Sequence, residues 1–437
     1  MEEYIKELIE IIKEKEPSLE ELAKLKIKLS KKHRIRHIPT NIEILVKCKD
    51  LDRTFLKKHL VTKPVRTMSG VAVVAIMTKP IKCPHGKCTM CPGGVDSVFG
   101  DVPQSYTGKE PATRRAIRNK FDPYMQIFNR LEQYVLLGQS PDKVELIIMG
   151  GTFPSFPKKY RDDFVKYSFK AMNDFSGFFF PKGELHLGRF KKFFELPGQV
   201  KDPERTRKIQ KKIMEMKKKN IAGLEKEQKR NEKAQVKCVG LTIETRPDYG
   251  MLKDGNEMLR LGATRVELGI QSVYNDALKK IERGHTVEDS IDSIRILKDL
   301  GFKLNFHYML GMPGVSKSKD ISGLTRLFSN HDFRPDMLKI YPLMVLRGTK
   351  LYNEYKKGKF KPVTTKQAAE IVIALKSIVP KYVRIMRVQR DIPTYMTESG
   401  VDRTNLRQYV HELMKKEDIR CNCIRCREIG KEEIKGR

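Results

Sequence analysis

The chain has 437 residues, enough for one barrel-sized domain and something smaller, and its 39% hydrophobic content excludes wholesale disorder. Lys and Arg number 87 against 54 Asp and Glu, giving a formal charge of +33, the signature of a protein that meets a polyanion such as nucleic acid. The opening "MEEYIKELIE" is acidic and not a signal peptide, and the longest purely apolar run, "VAVVAIM" at 71–77, is too short to cross a membrane, so the expectation is a cytoplasmic protein with no membrane contact.

Residues 1–70 predict a small, basic helical region. Ile5, Leu8, Ile9, Ile11 and Ile12 fall on one helical face. The stretch "KLKIKLSKKHRIR" carries seven Lys and Arg from Lys24 to Arg36 with no interleaved acid. Lys31, Lys32, Arg34 and Arg36 are its candidate phosphate contacts; a solvated helix face is the alternative.

From Val71 the pattern changes to apolar, β-branched runs separated by helical stretches. Candidate strands are 71–77, 144–149, 236–243, 265–270, 303–309, 337–341 and 382–388. In "HTVEDSIDSIRILKDLG", Thr286 and Asp289 form a capping pair, Ile291, Ile294, Leu297 and Leu300 a stripe, and Gly301 a stop. Repeated β-then-α units imply an α/β fold with a parallel sheet, a whole or partial TIM-type barrel over 71–395, with its active site at the C-terminal strand ends. A Lys/Arg-rich insertion at 202–235 predicts an exposed helix pair and a second polyanion contact. Residues 396–437 form a tail.

Eight cysteines in a reducing compartment argue for metal over disulfides, and six of them fall in two clusters. Cys83, Cys88 and Cys91 have the spacing C-x4-C-x2-C on a Pro/Gly-rich loop directly after the first strand. Three thiolates suit a 4Fe–4S cubane that leaves one iron for a small molecule to chelate, the arrangement that cleaves S-adenosylmethionine; a zinc site completed by His85 or a distant residue is the rival. Other strand ends share this address. Gly150 and Gly151 end the second and permit close ligand approach. Glu244 and Arg246 end the third, Gln271 and Ser272 the fourth, and His307 lies on the fifth. Arg246 with Glu244 also reads as a structural ion pair, and His307 as a core histidine.

The segments "CPHGKCTMCPGGVDSVFGDVPQSYTGKEPATRRAIRNKFDPY", "DKVELIIMGGTF", "LTIETRPDYG", "RVELGIQSVYNDAL", "IERGHT" and "IMRVQRDIPT" together resemble the Elongator catalytic-subunit family, radical-SAM tRNA uridine acetyltransferases, over about residues 70–430. The resemblance implies a 4Fe–4S cluster on Cys83, Cys88 and Cys91, with S-adenosylmethionine across Gly150–Gly151 and Glu244–Arg246 and beside Gln271. It implies that Lys143, in "DKVE", contacts acetyl-CoA and serves the reaction. That reaction installs a carboxymethyl group on C5 of the wobble uridine, with the anticodon stem-loop on the basic surfaces. A homodimer or Elongator-type subunits are the implied protein partners. Two departures stand out: the first cysteine gap is shorter than is usual in the family, and the chain stops at Arg437 with no C-terminal acetyltransferase domain, which puts acetyl-CoA turnover by this chain alone in doubt.

The second cluster, Cys421, Cys423 and Cys426, predicts a structural zinc site with His411 as fourth ligand; a second iron–sulfur cluster and free thiols are the alternatives. Cys48 and Cys238 read as core residues in strand-like surroundings. Rival functions are another radical-SAM tRNA enzyme, such as a methylthiotransferase, and a non-catalytic, metal-stapled tRNA-binding scaffold.

Overall fold

A computed structural model describes residues 1–35, 38–48, 52, 55, 56, 59, 60, 67, 69–198 and 202–428. Arg36, one of the expected phosphate contacts, lies outside the described residues. The chain divides into two compact units: Met1–Val74 with Pro123–Glu145 and Lys166–Val239, and Ala75–Asp122 with Leu146–Val165 and Gly240–Arg437. The expected division followed chain order; spatially, the N-terminal helices share a unit with the segment that holds the insertion.

In the first unit, helices α1 (Glu2–Lys15), α2 (Leu19–Lys32) and α3 (Asn41–Lys47) follow one another. Ser18 and Thr40 open α2 and α3 with reciprocal capping boxes to Glu21 and Glu43. Tyr4, Ile5, Leu8, Ile9 and Ile12 of α1 are buried against Leu22, Leu29, Ile44 and Leu45, while Ile11 is only partly covered. Cys48 is core as expected, but it ends helix α3 and is not in a strand: its thiol donates to the Leu45 carbonyl at 3.2 Å, closing the last turn. The insertion does form two helices, Pro203–Lys217 and Leu224–Asn231, yet they are not simply exposed. Ile209 and Ile213 are buried, and Arg205 donates to the Phe194 carbonyl at 2.7 Å and pairs with Glu132. The lysine-rich composition masks an apolar inner face at i, i+4 spacing.

Seven strands make the main sheet: β1 (Ala72–Met77), β2 (Lys143–Met149), β3 (Lys237–Thr245), β4 (Arg265–Gln271), β5 (Lys303–Leu310), β6 (Met337–Pro342) and β8 (Arg384–Arg387). Their order is β1-β2-β3-β4-β5-β6-β8, and their C-terminal ends lie in the second unit. All seven coincide with expected strands. Neighbours from β3 to β8 pair in parallel, and among the described residues nothing bridges β1 to β8, so the barrel is partial. A two-stranded ribbon, β7 (Val345–Leu346) with β9 (Thr397–Ser399), is antiparallel. Strand β4 is buried at six consecutive positions, as a parallel strand covered on both faces must be.

The helix Val287–Asp299 starts at the expected Thr286–Asp289 capping box, and Gly301 follows it with φ +84°. Its buried stripe differs from the expected one. Ile294 and Leu297 are buried together with Ser290 and Ser293, whereas Ile291 and Leu300 are only half-buried. A strict three-residue spacing drifts around the helix: nine residues turn it by about 180° relative to the start.

Candidate active site

The loop after β1 is braced before its cysteines do anything. The Gln104 carboxamide accepts from the Cys83 N–H at 2.5 Å and donates to the Gly86 carbonyl at 2.9 Å. The Thr89 N–H reaches the Ile281 carbonyl at 3.0 Å, and the Leu351 N–H reaches the Thr89 carbonyl at 2.9 Å. Gly93 is required here, since a Cβ would lie 2.3 Å from the Tyr106 carbonyl oxygen.

Each sulfur of the triad faces a donor. The Ser105 N–H points at Cys91 Sγ (3.1 Å), Thr152 Oγ1 lies 3.7 Å from Cys83 Sγ, and Cys88 Sγ has His85 Nε2 at 3.2 Å and Arg283 Nη1 at 3.8 Å. Burial pushes the Cys91 thiol up to about 11 and raises Cys83. Buried sulfurs ringed by N–H and O–H groups are poor free thiols and good metal thiolates. Among the described residues, Cys83, Cys88 and Cys91 do not form a set with all ligand atoms within 4.8 Å, whereas Cys421, Cys423 and Cys426 do. One tetrahedral zinc holds its sulfurs about 3.8 Å apart. The second triad therefore has the spacing of a single ion's ligands, and the first does not.

The other strand ends converge on this loop. Gly150 (φ +116°) cannot accept a side chain, because a Cβ would sit 2.5 Å from Thr78 Oγ1; Gly151 (φ +86°) would place one 3.8 Å from Cys83 Sγ. The glycine pair thus lies directly beside the triad. The Gly150 carbonyl is not free, however: it accepts from the Thr78 hydroxyl at 2.9 Å. Gln271 ends β4 in the left-handed region (φ +64°), next to a register shift between Leu268 and Gln271. Strain and bulges of this kind re-aim side chains at functional edges.

Glu244 and Arg246 are not paired to each other. Arg246 is buried, forms a double hydrogen bond to Asp248 (2.9 Å each) and donates to the Arg283 carbonyl at 2.6 Å. Glu244 accepts from the Tyr106 hydroxyl at 3.1 Å and lies 3.5 Å from Lys339 Nζ. His307 is not an isolated core histidine: its Nε2 lies 2.9 Å from Glu267, which also binds Lys339 and the Asn305 amide. Glu244, Glu267 and His307 come within 4.8 Å of one another, but the Lys339 ammonium already occupies the position a cation would take.

Sequence reasoning missed Gln104, Tyr106, Glu267, Arg283 and Lys339. For Glu267 and Lys339 a signal existed: each is a charge inside an otherwise apolar strand run, "VELGI" and "MLKI".

Lys143 is the first residue of β2, whereas Gly150 and Gly151 follow its last. It stands at the other end of the strand from the glycine pair. Lys31, Lys32 and Arg34 are exposed. The run without interleaved acids is nonetheless partly compensated, because α1 brings Glu7 to Lys32 (2.6 Å) and His33 (2.7 Å), and Lys24 pairs with Glu20 at 3.2 Å. In the tail, His411 Nε2 lies 3.9 Å from Cys426 Sγ, close to the roughly 3.5 Å of two ligands on one zinc, and buried Lys376 donates to Cys426 at 3.3 Å.

A loop triad suited to a cluster with one iron open to a small molecule, at the mouth of a partial parallel β/α barrel, defines a radical-SAM domain. The radical SAM superfamily model matches residues 80–321, and the radical SAM C-terminal domain model 335–416. The ELP3 N-terminal domain model matches residues 1–68. The "tRNA uridine(34) acetyltransferase" of Methanocaldococcus infernus is 48% identical over 392 residues, covering 90% of this chain and 65% of that protein. Human "Elongator complex protein 3" is 39% identical over 419 residues, covering 95% of this chain and 69% of that protein. A solved structure of Methanocaldococcus infernus Elp3 with an N-terminal deletion superposes with TM-score 0.63 at 40% identity, over 82% of this chain and 65% of that one. The chain belongs to the Elongator complex protein 3 family, and it spans about two-thirds of the length of the curated relatives it matches.

Proposed function

We propose that this chain is the radical-SAM and tRNA-binding portion of an enzyme that uses acetyl-CoA and S-adenosylmethionine to place a carboxymethyl group on C5 of the wobble uridine of tRNA. The observation that carries this reading is the identity to tRNA uridine(34) acetyltransferase over 90% of the chain. Cys83, Cys88 and Cys91 would hold a 4Fe–4S cluster, which when bound supplies the electron that cleaves S-adenosylmethionine. Gly151 leaves room for a ligand beside Cys83. Glu244 would accept from the ligand's hydroxyls, Gln271 would donate from the rim, and Arg246 would act from behind, fixing the Arg283 segment through its carbonyl. Lys143 would contact acetyl-CoA from the far end of β2.

The charge of +33 supports a tRNA partner, with Lys31, Lys32 and Arg34 in the footprint. Because the wobble base must reach the barrel mouth, it would be unstacked on binding. Cys421, Cys423, Cys426 and His411 would hold a structural zinc. No described helix is long and apolar enough to cross a membrane. A cytoplasmic location, with a second copy or Elongator-type subunits as partners, is the setting we propose.

The test is anaerobic. The protein is reconstituted with iron and sulfide, given reductant and S-adenosylmethionine, and 5′-deoxyadenosine is quantified with and without tRNA. Product that requires all three cysteines and changes with tRNA is expected. No product, with zinc at the first triad, would make the chain a metal-stapled tRNA-binding scaffold instead.

A further inference from the structure

Among the described residues, Arg283 is a buried guanidinium without an acid. It follows the helix Asn275–Lys280 and is 9% exposed. Its Nη2 donates to the Gly269 carbonyl at 2.8 Å, its Nη1 points at Cys88 Sγ at 3.8 Å, and its Nε is buried with no partner. The neighbouring acids are committed elsewhere: Asp248 to Arg246, Glu282 to Lys350, and Glu267 to Lys339 and His307. A buried, unpaired cation is costly, so some negative charge must face it. Among the described residues, the candidate in contact is Cys88 Sγ of the triad.

The local backbone is shaped for this contact. At Gly269 a Cβ would lie 2.7 Å from Arg283 Nη2, and at Gly284 one would lie 2.8 Å from His85 Cβ. Both glycines leave space where the two side chains that reach Cys88 must pass. Arg246 then holds the segment through the Arg283 carbonyl.

We propose that Arg283 is the fixed counter-charge of the cysteine triad: a positioning residue that raises the reduction potential of the cluster bound there. The inference rests on the 4Fe–4S reading above. Its sign follows from charge. Reduction makes the cluster more negative, and a fixed cation at 3.8 Å from a ligand sulfur stabilises the reduced form more than the oxidised one.

The experiment compares reconstituted wild type, R283Q and R283K. Iron and sulfide are assayed, and the midpoint potential is read by a mediated redox titration followed by electron paramagnetic resonance. The expected result is an unchanged iron content, a lower potential in R283Q and an intermediate one in R283K. Equal potentials at equal iron content would overturn the inference while leaving the cluster reading intact. A wild type that takes up zinc in place of iron would overturn both. Should R283Q hold no cluster, G269A decides, because it displaces the guanidinium without removing its charge. A lowered potential in G269A supports the counter-charge role, and an unmoved one refutes it.

Discussion

The ammonium of Lys339 on β6 meets the carboxylate of Glu267 on β4 across the intervening strand β5, and both groups are buried. Strand β5 supplies His307 and Asn305 to the same carboxylate, at 2.9 Å each. Burial alone would push Glu267 up, but Lys339 and His307 hold it well below the usual carboxylate range. Lys339, His307 and Asn305 thus all serve the one Glu267 carboxylate in the sheet interior, where an unpaired charge would be expensive, while Asn305 Oδ1 is itself left without a partner.

Removing one partner should show that cost. Lys339→Met leaves Glu267 without its cation and should destabilise the protein by about 3–5 kcal/mol. The double variant Lys339→Met/Glu267→Gln should recover a large part of this. Denaturant unfolding of wild type, the double variant and the two single variants, Glu267→Gln included, measures both numbers, and additive effects in the cycle would show that the two groups are not coupled.

The tail should depend on its ion. Cys423→Ser should release one equivalent of zinc and open the segment after the helix Leu406–Lys416 to protease. His411→Ala should weaken zinc binding less than the cysteine change does, as judged by chelator competition. Zinc content unchanged in Cys423→Ser would remove the site.

The basic face of α2 should report on tRNA. Reversing Lys31, Lys32 and Arg34 together should weaken binding and flatten the salt dependence by about one unit of slope for each phosphate no longer neutralised. Lys32 is partly neutralised by Glu7, so Lys31→Glu and Arg34→Glu should account for most of the change. A slope equal to that of wild type would place the footprint elsewhere.

Asp320 gives a pH signature. Burial pushes it up to about 7, although its carboxylate accepts from the Gly311 N–H at 2.7 Å. Its folded value is above its unfolded one, so the folded protein binds the proton more tightly. Stability is therefore lost as pH rises from about 4 to about 7, by up to about 4 kcal/mol at pH 8. Asp320→Asn keeps an acceptor oxygen for Gly311 and has no charge to bury. It should unfold at a higher midpoint than wild type at pH 8, with the gap closing near pH 4. Parallel pH profiles for the two proteins would contradict this.

Much of the fold was legible because a parallel strand buried on both faces must be written as an apolar run. Thus 265–270 and 303–309 matched β4 and β5 to within a residue. The cysteine spacing was legible because one loop supplies all three sulfurs. The charge balance of the site was not, because its partners come from separate elements: Tyr106 and Glu244, or Arg283 and Cys88, are distant in sequence and meet only when the strands align. Glu7 escaped for the same reason, since it compensates Lys32 from another helix.

By itself the sequence determined the order of strands and helices, the two cysteine triads and the basic character of the chain, all set by local spacing and composition. Tertiary structure alone decided that the second triad is tight and the first is not, that Arg246 is committed to Asp248, and that Arg283 faces a sulfur and, among the described residues, no acid. Periodicity is a property of neighbours along the chain. Electrostatic satisfaction is a property of neighbours in space, where burial makes every missing partner costly.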